Sequence, residues 1–321
     1  RRGTWMAGLF EFVRKSLGDE ARSSGKKRKV VQKRAITPIA RECIRELLRE
    51  TAPVDQRRLE DIVADVALAL HGPALLEFLL HHRVTICFDT RKGGAGYLPA
   101  RQKILLNRVN VTPWVALSFV HEATHAFYHL TGAGGDVAHQ GRDQFAATIL
   151  WEEVGTRQAE VRIGRDLMHL AYESGRSDWK QYATKPVMKM WMQLVHGAPY
   201  GAPPSPDVLR RDRQLSDDLA EGLIEALRPY FLRYVEPYRA YEIRKWDIFH
   251  RRQPSMDPTT LHEALSEAMG DQKNDILYPK RPKGGLRPVK VEVALPGVKP
   301  PRPWQSGDRL ERSRRHNPFV G

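Results

Sequence analysis

The stretch from Val111 to Leu130 sets the hardest condition on the fold. Trp114, Val115, Leu117, Phe119 and Val120 give it the pattern of a core helix, yet it also carries His121, Glu122, His125 and His129. Buried polar side chains are costly unless they pair or ligate. The spacing resolves the conflict. At i and i+4, His121 and His125 lie one turn apart on one helix face and can both reach a single zinc ion. Glu122, rotated away from them, is placed to take a proton from water activated by the metal. His121-Glu-Ala-Thr-His125 is thus an HExxH motif set in an apolar helix.

A zinc site of this kind needs a third protein ligand. The metzincin extension of the motif would require glycine at position 128 and histidine at 131, where Tyr128 and Thr131 stand. His129 continues the i+4 series one further turn along, too far to share the ion, and is expected to support the site or the structure. After the loop Gly132-Ala-Gly-Gly135, Asp136 and His139 stay open as ligands. The next helical pattern, Asp143 to Leu170, offers better ones. Ala147, Leu150, Val154, Val161 and Met168 fix its apolar centre. At about 100° per residue, Glu153 falls within roughly 60–90° of that centre, and Glu152 points nearly opposite. Glu153 is the expected third ligand, with Glu152 the alternative. Glu160, beside Glu153 two turns on, is expected to orient a histidine or to pair with Arg157.

The rest of the chain frames this centre. Of 321 residues, 41% are apolar and 28% charged, which fits a globular body with polar ends. Formal net charge is +14. Residues 1–36 hold 11 Lys or Arg against 3 Asp or Glu, and residues 272–321 hold 12 against 4. The middle is close to neutral, so the basic character belongs to the ends, which would attract a polyanion such as nucleic acid or an acidic protein surface. Met6 to Leu17 reads as an amphipathic helix, Lys26-Lys-Arg-Lys-Val30 resembles a nuclear-import run, and 272–321 holds eight Pro, as an extended tail would. Two cysteines, Cys43 and Cys87, exclude a disulfide scaffold and a cysteine zinc cluster. No apolar run reaches the roughly 18 residues of a membrane span. The first residues show no secretory pattern, so a cytoplasmic, delivered or packaged protein is expected. The first residue is Arg, and Met6 would be a natural start.

Upstream of the motif the pattern gives helices at about 37–50, 54–70 and 73–81. A strand follows at Val84–Phe88, then a hairpin of Tyr97-Leu98 against Lys103–Asn107. Further helices fill 176–270. The expected division is a basic segment at 1–36, a core at 37–175, a helical subdomain at 176–271 and a basic tail at 272–321. The fold class is α+β, mainly helical, with a small antiparallel sheet.

On these residues the chain resembles the gluzincin type of zincin metallopeptidases over about residues 82–170. The resemblance implies one zinc ion held by His121, His125 and Glu153 or Glu152, with Glu122 as the general base. It implies an edge strand before the zinc helix that receives the substrate backbone by strand addition, here Gly96, Tyr97, Ile104 and Leu105. It also implies a Tyr or His that stabilises the oxyanion, for which Tyr97, His139 and His169 are candidates. The layout is closest to compact metallopeptidase domains of bacterial effectors, toxins and mobile elements. The implied activity is hydrolysis of a protein substrate. The competing expectation is a structural or nucleic-acid-binding protein that keeps a zincin-like fold and works through its cationic ends.

Overall fold

The computed structural model describes residues 44–89, 95–199 and 203–251. The segment at 6–17, the run Lys26–Val30, Cys43 and the tail at 272–321 lie outside these residues. In chain order the elements are α1 (Pro53–Leu68), α2 (Gly72–His81), β1 (Thr85–Asp89), β2 (Gly96–Leu98), a 3-10 turn (Pro99–Arg101), β3 (Lys103–Asn107), α3 (Thr112–Leu130), α4 (Arg142–Glu173), α5 (Trp179–Tyr182), α6 (Pro186–His196), α7 (Pro206–Arg213), α8 (Asp217–Ala226), α9 (Arg228–Val235) and α10 (Tyr238–Arg251). Proline stands in the first turn of α1, α2, α3, α6, α7 and α9, where its missing N–H removes no helical hydrogen bond. None of the described helices is long and apolar enough to cross a membrane.

The expected hairpin is present. β2 and β3 pair antiparallel, Tyr97 opposite Ile104, and Gln102 closes the turn in the left-handed region. The sheet as a whole is mixed rather than antiparallel, because β1 joins β3 in parallel in the order β1-β3-β2. The register explains why. Ile86 aligns with Ile104 and Phe88 with Leu106, which sets the apolar side chains of both strands on one buried face.

Helix α3 runs beneath this layer, and its start is fastened by Arg58. That guanidinium donates to the carbonyls of Arg108, at 2.7 Å, and Asn110, and to Thr112 Oγ1 at 3.3 Å. α3 then crosses α4, a 32-residue helix that α6, α8, α9 and α10 also pack against. Two glycines of α4 permit the close crossings. A Cβ on Gly164 would lie 2.8 Å from Met188 Sδ and 2.9 Å from Leu117 Cδ2, and one on Gly155 would lie 1.9 Å from the Tyr128 hydroxyl. One hydrophobic core runs from Ile44 to Val235, so it continues across the boundary expected near residue 175. The helices of 186–251 are therefore walls of the same body that holds the motif.

Candidate metal centre

His121 and Glu122 are buried on α3, and the motif's threonine satisfies itself. Thr124 Oγ1 donates to the Val120 carbonyl at 2.8 Å, so it can sit in the core. The two imidazoles face each other, Nε2 to Nε2, at 3.1 Å. Glu153 of α4 meets both. Its Oε1 lies 3.6 Å from His125 Nε2 and its Oε2 lies 3.7 Å from His121 Nε2. Donors bound tetrahedrally at zinc distances stand about 3.4 Å apart. The two nitrogens stand a little closer than that and each Glu153 oxygen a little farther from one of them, and His121, His125 and Glu153 form the group that could hold a metal ion among the described residues. The angular expectation for Glu153 agrees with this placement.

Glu152 does something else. Its Oε1 lies 2.6 Å from His125 Nδ1, on the side of the ring away from the donor triangle. The same carboxylate accepts from the Gly135 N–H at 3.3 Å, and a Cβ on Gly134 would come within 3.0 Å of Oε2. The glycine-rich loop thus closes over Glu152. With Nδ1–H given to this carboxylate, His125 turns its Nε2 toward the centre. α10 holds the loop in turn. Trp246 Nε1 donates to the Gln140 carbonyl, His250 Nε2 to the Val137 carbonyl, each at 2.9 Å, and Arg142 pairs with Asp247.

Behind His121 stands a buried set of charges. Glu160, fully buried, takes Arg157 Nη1 on Oε2 at 2.8 Å and Lys185 Nζ on Oε1 at 2.7 Å. Its Oε2 faces His121 Nδ1 at 3.7 Å. The pairing expected between Glu160 and Arg157 is present, while His121 Nδ1 lies beyond hydrogen-bond distance of the same carboxylate. Arg157 also approaches Glu153 Oε2 at 3.7 Å and lies over the Tyr234 ring.

The electrostatics differ between the two histidines. Burial and the nearby Arg157 hold His121 below the usual imidazole range, against Glu160. Burial acts the same way on His125, but Glu152, Glu153 and Glu122 outweigh it and raise it to about 9. Two imidazole nitrogens and a carboxylate converge here as donors that could hold a metal ion.

The chain matches no family model, no curated protein and no solved structure. The reading of the centre therefore rests on its own geometry.

Other residues singled out in the sequence fall elsewhere. His129 is exposed, and its Nδ1 lies 3.3 Å from the Tyr97 hydroxyl, so these two pair with each other at the rim. His139 is bonded to Asp136 at 2.7 Å on the surface, 81% exposed, which removes both from the ligand set. His169 is buried on Asp212, at 2.6 Å, with His196, Trp191 and Arg165 on the same carboxylate, and takes no part in the centre. Ile104 and Leu105 cannot receive a substrate strand. β3 is the middle strand, with both sides paired, and Ile104 is fully buried. Gly96 and Tyr97 remain on β2, an edge of the sheet among the described residues.

Two residues of the centre escaped the sequence reading because they come from beyond residue 175. Lys185 precedes α6 and also reaches Ser118 Oγ on α3 at 3.0 Å. Tyr238 opens α10. Its burial, and the charges of Glu153, Glu160 and Glu122 around it, push its hydroxyl up to about 12, against the pull of Arg157, so it stays protonated.

Proposed function

We propose that this chain is a zinc-dependent endopeptidase of zincin type. The observation that carries the reading is the convergence of His121 Nε2, His125 Nε2 and the Glu153 carboxylate, with Glu122 on the same turn of the same helix. A structural metal site has no need of that extra carboxylate.

A zinc ion bound there supplies Lewis acidity to a water molecule and to the substrate carbonyl. The residues of the chain do the rest. Glu122 takes the proton from the attacking water and delivers it to the leaving amine as the C–N bond breaks. Tyr238, protonated at neutral pH, lies among the charges of Glu153, Glu160 and Glu122. Glu152 keeps the His125 imidazole turned toward the centre, and the Glu160 charge faces His121 Nδ1 at 3.7 Å. The β2 edge supplies backbone groups to which an extended peptide can add as a strand. A protein delivered or packaged as an effector or toxin fits the layout, its cationic ends engaging a polyanionic partner.

The test is elemental analysis of the purified chain, followed by capture of substrate with Glu122→Gln. One zinc per chain, and a protein substrate cleaved by wild type but only bound by Glu122→Gln, would establish the reading. No zinc bound and none taken up on addition would overturn it, leaving the cationic ends as the working part.

A further inference from the structure

Lys185 is a buried cation with no part in the expected motif, and an unneeded buried charge is a liability of several kcal/mol. Its partners say what it is for. Nζ reaches Glu160 Oε1 at 2.7 Å and Ser118 Oγ at 3.0 Å. Ser118 lies three residues before His121 on α3, and Glu160 faces His121 Nδ1 from α4. The lysine therefore joins the two helices on either side of one ring.

The Glu160 carboxylate shows the consequence. Lys185 occupies Oε1 and Arg157 occupies Oε2, at 2.7 and 2.8 Å. Two cations on the two oxygens fix the rotation of the group. Oε2 is thereby held on the Nδ1 side of His121, at 3.7 Å, beyond hydrogen-bond reach, and its buried negative charge favours the ring form that turns an N–H toward it and leaves the lone pair on Nε2. His125 has its own carboxylate in Glu152, hydrogen-bonded at 2.6 Å and braced by the glycine loop instead of by a lysine.

We infer that Lys185 is a positioning residue for the metal: by fixing the Glu160 carboxylate it sets the negative charge that faces His121 Nδ1 and so favours the ring form whose Nε2 lone pair meets the metal. The inference rests on the proposed metal site. It assigns to the helices after residue 175 a direct share in building that site.

The test is zinc affinity, measured by competition with a chromophoric chelator, together with the melting temperature of the zinc-free protein. Lys185→Met weakens zinc binding by about 10- to 100-fold, the range found when a carboxylate partner of a metal-bound histidine is lost. Lys185→Arg, which keeps the charge, stays closer to wild type than Lys185→Met does. Lys185→Met combined with Glu160→Gln loses little more than either alone, because both act along one path. Combined with Glu152→Gln, its effect multiplies. A lowered melting temperature with unchanged zinc affinity in Lys185→Met would make the lysine a packing element only, and would overturn the inference. Full multiplication with Glu160→Gln would overturn it as well. Wild-type protein that takes up no zinc would remove the metal reading itself, a result distinct from both.

Discussion

His125 is held from two sides by adjacent residues: Glu152 meets its Nδ1 at 2.6 Å, and Glu153 faces its Nε2 at 3.6 Å. Neighbouring positions on a helix point about 100° apart, so one glutamate reaches the donor side of the ring and the other reaches behind it. Their substitution should separate cleanly. Glu153→Ala removes a donor and is expected to abolish stoichiometric zinc binding. Glu152→Ala leaves three donors and weakens binding by about 10- to 100-fold. Zinc content after dialysis, and then affinity by chelator competition, distinguishes the two. Equal losses in both variants would contradict the division of labour.

Glu122 is the residue whose loss should spare the metal. Glu122→Gln keeps its size and polarity on α3 and removes none of the three donor groups. Zinc content should stay at the wild-type level, while turnover of a peptide substrate falls by roughly 10²- to 10⁴-fold, the usual contribution of a general base. Loss of zinc from this variant would make Glu122 a structural part of the centre.

The motif residues were readable in the sequence because HExxH is a local relation on one helix, and Glu153 followed from the apolar face of the next. What lay out of reach was of two kinds. Lys185 and Tyr238 join the centre through tertiary packing of α6 and α10, and nothing in their local sequence marks that. The parallel pairing of β1 was hidden for a similar reason. A hairpin announces itself through its turn, whereas a parallel neighbour is fixed by which apolar faces must align. His169 and His139 failed as candidates because each is committed to a nearby aspartate, Asp212 and Asp136. Residue type gave no hint of those commitments.

Gly155 gave one sign that could have been followed further, a glycine in the middle of a long helix. Its missing Cβ leaves room for the Tyr128 hydroxyl, which would otherwise lie 1.9 Å away. Gly155→Ala gains helix propensity on α4, yet it forces the α3–α4 crossing apart, so a net loss of about 1–3 kcal/mol is expected. Tyr128→Phe removes the atom in closest conflict, and in that background the cost of Gly155→Ala should shrink. Chemical denaturation of the four proteins of this cycle measures the coupling. An unchanged cost in the Tyr128→Phe background would place the strain elsewhere.

Asp212 predicts a dependence on acid that has nothing to do with the metal. It is fully buried and accepts from His169 and His196 at 2.6 Å each, from Trp191 Nε1 at 2.7 Å and from Arg165 Nε at 3.0 Å. Burial raises a carboxyl group, but these partners prevail and hold Asp212 well below the usual carboxylate range. A carboxyl group depressed in the folded state contributes stability at every pH above its unfolded value, near 4, and that contribution fades as pH falls below it. Stability of the wild type should therefore drop steeply on acidification below about pH 4. Asp212→Asn removes the charge while Arg165 stays in place, so it should cost about 3–5 kcal/mol at neutral pH. It should also flatten the slope below pH 4. Urea denaturation of both proteins across pH 3 to 7 supplies both quantities. Parallel curves for the two would show that some other carboxylate governs the acid transition.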